Sequence, residues 1–176
     1  NFLIRAQADK HDIRLISFVR TNEVIDLDIV KSCCHEVDII PFREFRPSSL
    51  KAIMGYFSLS PRSVFETYSP EFTRAVRLQR KWSDCIVASE LVTAPYARQL
   101  GSTPCVWDDL EIAAGLDAWR SVHGAARLRR WLTWQKTTRY VRCLLPAYKA
   151  VTVVSEVEKG ILGQIAPDYK GCKVLP

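Results

Sequence analysis

The chain has 176 residues, 48% hydrophobic and 25% charged, and its 25 Lys and Arg against 19 Asp and Glu leave a net charge of +6. This balance excludes a disordered chain, and no apolar run reaches the ~18 residues that a membrane-spanning helix needs. A domain of this size buries about 70% of the surface its unfolded form exposes, so it needs no disulfide framework.

The six cysteines form no CxxC pair, and no HExxH or carboxylate–histidine cluster is present, so no metal is expected. With Cys85 and Cys105 expected inside buried strands, the thiols read as reduced and the compartment as cytoplasmic.

In chain order, residues 1–10 read as a helix and residues 13–19 (Ile-Arg-Leu-Ile-Ser-Phe-Val) as a strand. Ile25, Ile29 and Cys33 have helical spacing and predict a helix over 24–34, followed by a strand over 37–41. Arg43, Arg46, Pro47 and Ser48 mark a loop before a short helix over 50–56. Ser60-Pro61 and Ser69-Pro70 punctuate the chain before a helix that runs from Phe72 to about Lys81.

Cys85 to Ala88 is a short apolar run without alternation, as in a strand covered on both faces. A helix capped by Thr93, with Pro95 in its first turn, leads to Gly101, and Pro104 to Trp107 forms the next strand. After a small-residue patch at 113–115, a long helix is predicted within 122–148. Trp131, Trp134, Thr138, Val141 and Leu145 share one face, with Arg129, Lys136 and Arg139 roughly opposite; residues 124–142 hold six basic residues and no acid. Residues 150–154 form a buried strand, Ser155 and Glu156 start a helix to about 165, and residues 173–175 begin a last strand.

This alternation predicts an α/β chain: a single Rossmann-like domain over 1–176, a three-layer αβα sandwich with a mainly parallel sheet, its first strand expected ahead of Asn1. Parallel strands joined by right-handed crossovers end on one edge of the sheet, where ligands bind. Ser89, Glu90, Trp107, Asp108, Asp109, Leu110 and Glu111 are therefore candidates to line one crevice. Asp108, Asp109 and Glu111 place three carboxylates within four positions, which can supply a general base or accept hydrogen bonds from sugar hydroxyls. They also suit a helix N-terminus. Trp107 reads either as core or as an apolar face for a sugar ring, and Ser155-Glu156 as a helix cap or as ligand contacts. Neither GxGxxG nor a P-loop is present. The basic helix admits a solvated or packed face, a lipid-surface face or a nucleic-acid contact, the last without a recognised motif.

Asp84 to Glu90 (Asp-Cys-Ile-Val-Ala-Ser-Glu), Tyr96-Ala-Arg-Gln-Leu with Pro104-Cys-Val-Trp-Asp-Asp-Leu-Glu, and above all Ala-Val-Thr-Val-Val-Ser-Glu-Val-Glu from Ala150 follow in an order that resembles the N-terminal domain of a group 1 (family 4) GT-B glycosyltransferase. The resemblance covers nearly the whole chain and about half of such an enzyme. It implies a bacterial-type retaining transferase of polysaccharide biosynthesis, moving a sugar (hexosyl) from a nucleotide-sugar co-substrate to a glycan or lipid-linked acceptor, with no other cofactor. The donor-binding C-terminal domain lies outside this chain, so the fragment alone is expected to be inactive. The family's Gly-Gly loop is absent, and Asp108-Asp109 stand where a histidine is common. In this reading Asp108 and Asp109 are catalytic; Ser89, Glu90, Trp107, Glu111, Ser155 and Glu156 contact the acceptor; and Arg129, Arg130, Trp131 and Trp134 face an anionic membrane at the inner, cytoplasmic side. Nucleic acid is not an expected partner. The alternative is a non-catalytic Rossmann-like binding domain.

Overall fold

A computed structural model describes residues 2–20, 26–42, 44–97 and 101–175. The expected helical positions 1, 24, 25 and 98–100, and the loop residue Arg43, lie outside the described residues. In chain order the elements are α1 (Phe2–Ala8), β1 (Arg14–Val19), α2 (Leu27–Lys31), β2 (Glu36–Pro41), α3 (Leu50–Met54), α4 (Arg62–Thr67) and α5 (Pro70–Gln79). There follow β3 (Ile86–Ser89), α6 (Glu90–Ala97), β4 (Cys105–Asp108), α7 (Ala113–Arg120), α8 (Gly124–Leu144), β5 (Ala150–Val153), α9 (Glu156–Ile165) and β6 (Cys172–Val174). The fold is α/β, and both of its sheets are parallel throughout.

The chain divides into two compact units, residues 1–44 with 69–82 and residues 45–68 with 83–176. In the first, β1 and β2 pair from Arg14 opposite Glu36 to Val19 opposite Pro41. Phe18 of β1 stacks on Phe72 of α5 at 4.2 Å between ring centroids, so α5 covers the strand pair. Arg14 ties the open end: it pairs with Glu36 at 3.2 Å, donates to Gln79 Oε1 at 2.7 Å and lies over the Trp82 ring. Ser69 caps α5 by accepting from the Phe72 amide, with Pro70 at the first position, where no amide donor is required.

The second unit carries a four-stranded sheet in the order β3-β4-β5-β6. Its crossovers are α6, then α7 with α8, then α9. Trp107 of β4, Val151 of β5 and Val141 of α8 are fully buried and centre the core. Tyr148 joins them: its ring lies 5.3 Å from that of Trp107, and its hydroxyl donates to the Ala94 carbonyl at 2.6 Å, which satisfies a phenol that burial would otherwise penalise. The turn into β6 needs glycine, because a Cβ at Gly171 would lie 2.6 Å from the Tyr169 hydroxyl and 2.7 Å from the Lys149 carbonyl.

Residues 45–68 form a braced helical hairpin, α3 with α4, in this second unit. The buried Glu66 carboxylate accepts from the Arg46 amide at 3.0 Å and from the hydroxyl of Ser49, the N-cap of α3. Arg62 donates to the carbonyls of Ala52 and Pro47 and packs over the Tyr56 ring at 3.8 Å. Lys136 of α8 reaches the carbonyls of Gly55 and Tyr56 at 2.9 and 2.7 Å, just past the C-terminus of α3. A cation is favoured there by the helix dipole and by orphan carbonyls.

Several expectations need correction. Helix α6 starts at Glu90, not after Thr93, so Pro95 lies inside it; the Thr93 hydroxyl, rather than capping the helix, donates back to the carbonyls of Ser89 and Glu90. Cys85 is exposed and precedes β3, which begins one residue later, while Cys105 is buried in β4. Helices α4 and α7 occupy stretches where the sequence shows only Ser-Pro punctuation and a patch of small residues. Gly101 takes the expected left-handed backbone, at φ 65°. Among the described residues no helix is long and apolar enough to cross a membrane.

Glu66→Ala leaves the Arg46 amide and the Ser49 hydroxyl without their partner and is expected to cost about 1–3 kcal/mol in urea unfolding, with Glu66→Gln costing less. Burial also raises the Tyr169 phenol to about 12 and raises that of Tyr148 further. In the unfolded chain both titrate near 10. The folded chain therefore favours the neutral phenols, and this stability, complete below about pH 10, is lost as pH climbs toward about 12. Unfolding midpoints compared across that window are expected to fall less steeply in Tyr169→Phe.

Candidate functional site

Strands β3, β4 and β5 end side by side on the carboxyl edge of the four-stranded sheet, with Ser89 of β3 in register with Asp108 of β4. The next residue on each strand, Glu90 and Asp109, has a left-handed backbone, with φ 67° and 55°. For a residue with a Cβ this conformation costs about 1–2 kcal/mol and is held only where the surroundings fix it. Two acidic residues thus turn at the ends of neighbouring strands, which run about 4.8 Å apart. Both are exposed, and among the described residues neither carboxylate has a hydrogen-bond or ion-pair partner.

What holds the turn after β4 is Thr152, in the middle of β5. Its hydroxyl donates to Asp108 Oδ1 at 2.6 Å and accepts from the Asp109 amide at 2.9 Å, and its carbonyl accepts from the Leu110 amide at 3.0 Å. Three bonds from one residue carry the chain out of the sheet and lock the Asp109 turn. Leu110, 1% exposed, then buries its side chain and anchors the loop in the core.

The far end of the loop is held by Glu158 of α9. Its carboxylate, 3% exposed, accepts from the amides of Ile112 and Ala113 at distances of 2.9 to 3.2 Å. These amides open α7, which has no side-chain cap of its own. Ser155 is the N-cap of α9 and accepts from the Glu158 amide at 3.2 Å. The Ser155-to-Glu158 spacing is that of a capping box, but here the glutamate turns away from its own helix to cap α7. Between Asp108 and Ile112, each fixed to the scaffold, Asp109 and Glu111 are exposed.

The predicted residues therefore separate by task. Ser89, Glu90, Asp109 and Glu111 are exposed at the edge, whereas Asp108 is half-buried and engaged with Thr152. Ser155 serves as a helix cap, and Glu156 is exposed and pairs with Lys159 at 3.3 Å. Trp107 cannot offer a face to a sugar ring: it is 0% exposed and packs on Tyr148 in the core. Trp134 likewise cannot face a membrane, since it is buried with its ring against Gly115 of α7, where an added Cβ would meet it at 3.4 Å. Arg129, Arg130 and Trp131 are exposed.

Thr152 and Glu158 were missed as site residues. A threonine within Ala-Val-Thr-Val-Val signals a polar group in a buried strand that must find a partner, and Ser-x-x-Glu signals a capping carboxylate. Neither signal says which distant residue is served. Among the described residues no group of three or more His, Cys, Asp or Glu is arranged to hold a metal ion.

Thr152→Val keeps the side-chain shape and removes the hydroxyl, stranding the Asp109 amide. It is expected to cost about 1–3 kcal/mol in chemical unfolding, while Thr152→Ser retains most of the stability. Comparison with family models, with curated proteins and with solved structures gives no match for this chain.

Proposed function

We propose that the chain is the acceptor-side domain of a retaining glycosyltransferase of GT-B architecture, which moves a sugar from a nucleotide-sugar to a glycan or lipid-linked acceptor in bacterial-type polysaccharide assembly. The observation that carries this reading is the pair of unpartnered acidic residues, Glu90 and Asp109, at adjoining strand ends, with Glu111 two residues beyond Asp109. Exposed carboxylates on a fixed backbone accept hydrogen bonds from vicinal hydroxyls and orient a polyol. The order of motifs from Asp84 to Glu158 supports the same family.

In this reading the acceptor hydroxyl bonds to the anomeric carbon of the donor as that carbon's bond to the diphosphate oxygen breaks and the nucleoside diphosphate leaves; Asp109 takes the hydroxyl's proton, while Glu111 and Glu90 hold neighbouring hydroxyls. Ser89 offers a hydroxyl on the adjoining strand. Asp108 is a positioning residue that acts through Thr152, and Ser155 positions α9. The nucleotide-sugar is held by a donor domain that belongs to the remainder of the enzyme. The protein works at the cytoplasmic side of the membrane, where lipid-linked acceptors are presented.

The test uses the whole protein with labelled UDP- and GDP-sugars and a lipid extract as acceptor. Asp109→Ala is expected to lower transfer about 10²–10⁴-fold, the usual span for loss of a general base, with folding unchanged by circular dichroism. Asp108→Asn, which keeps an acceptor for the Thr152 hydroxyl, is expected to lose far less. Transfer at the wild-type rate by the Asp109→Ala variant would remove the catalytic reading and favour the alternative, a non-catalytic binding domain whose acids only terminate strands.

A further inference from the structure

Residues 45–65 and 121–149 together hold ten of the chain's 25 Lys and Arg and none of its 19 Asp and Glu. Both segments belong to the second unit and meet where Lys136 of α8 bonds to the Gly55 and Tyr56 carbonyls. The same segments carry a concentration of exposed apolar side chains. On the hairpin, Leu50 is 74% exposed, Phe57 90% and Leu59 64%, with Ile53 and Met54 about half exposed between them. On α8, Leu132 and Leu128 lie one and two turns before Lys136 and are also exposed.

This exposure is held in place. Glu66, Arg62 and Lys136 fix both the N-terminus and the C-terminal carbonyls of α3, so Phe57 is presented outward on a braced turn. Apolar tips fixed outside the core are costly in water and mark an interaction surface. Among the described residues, Arg127, Arg129, Arg130 and Arg139 are exposed and have no acidic partner. Lys136 and Arg142, by contrast, are engaged with the carbonyls of Gly55, Tyr56 and Ile165.

We propose that the α3–α4 hairpin and the side of α8 that carries Lys136 form one docking surface for an anionic lipid bilayer, with Leu50, Phe57 and Leu59 entering the acyl boundary and Arg129 and Arg139, which share that side of the helix, meeting the headgroups. Apolar tips beside an acid-free basic field complement such a membrane in both layers, as in interfacial helices that sink about 5–10 Å into the headgroup region. The proposal extends the lipid-linked acceptor of the glycosyltransferase reading, but it is tested without catalysis, so failure of either leaves the other standing.

The experiment is co-sedimentation of the 176-residue chain with vesicles of phosphatidylcholine plus phosphatidylglycerol, against pure phosphatidylcholine, over a salt series. Binding is expected to the anionic vesicles only and to weaken with salt. Arg129→Gln is expected to reduce partition about fivefold, since each basic residue near the surface adds about that factor. Phe57→Ser is expected to reduce it about tenfold or more. Phe57→Trp is expected to give blue-shifted emission on adding anionic vesicles. Equal binding by the Phe57→Ser and wild-type chains, with circular dichroism unchanged, would overturn the proposal. So would wild-type binding to neutral vesicles at the same strength, or salt-insensitive self-association in light scattering without vesicle binding, which would assign the face to a second copy of the chain.

Discussion

A single hydroxyl sets the shape of the carboxyl edge. Thr152 stands in a strand whose other members are aliphatic, and a hydroxyl buried there without partners would cost about 1–3 kcal/mol. It is satisfied on both sides by the next strand, donating to Asp108 and accepting from Asp109. The same pair of bonds that satisfies Thr152 forces the chain after β4 into a left-handed turn at Asp109. Glu158 then takes the amides that open α7, so the loop is held at both ends. The exposed acids owe their fixed positions to two polar residues buried beneath them, which links core packing directly to the chemistry available at the surface.

The positive charge is organised by a comparable division of labour. Lys136 and Arg142 of α8 are engaged with carbonyls at or beyond the C-termini of α3 and α9. Within the hairpin Arg62 takes two more carbonyls and the face of Tyr56. These cations stabilise helix ends, where unpaired carbonyls concentrate negative potential. The remaining arginines of α8 meet no acid among the described residues, so their charge is directed to solvent or to whatever the protein meets there. One helix thus both holds the hairpin and supplies a basic outer face.

The strands were legible from short apolar stretches, although Ser17 interrupts β1, Asp38 interrupts β2 and Thr152 interrupts β5, and β3, expected to be covered on both faces, is an edge strand with Val87 half exposed. The start of α6 was not legible. Thr93 followed by Pro95 has the composition of a helix start, yet the helix opens at Glu90 and accommodates the proline internally. Helix α7 was hidden because Ala113 to Gly115 gives no periodic signal, and its N-terminus is capped by Glu158, about 45 residues away, not by a local side chain. The acids at the edge were readable from their position after a strand. The separation of Asp108 from Asp109 was not, since it depends on Thr152, 44 residues on from Asp108. Trp107 is core, one of the two readings open to it in the sequence, and Trp134 is core rather than membrane-facing; an aromatic side chain beside charged neighbours looks available in sequence, and only packing decides it.

Asp109 and Glu111 stand on a loop whose two ends are fixed by Thr152 and Glu158. Amide hydrogen exchange of the folded chain, resolved at Asp109, Leu110, Ile112 and Ala113, tests it most directly. Protection at all four amides comparable to that of β4 and β5 is expected, because each donates to a buried or half-buried partner. Exchange of the Asp109 and Ile112 amides at the rate of an unstructured peptide, while the β5 amides stay protected, would contradict it.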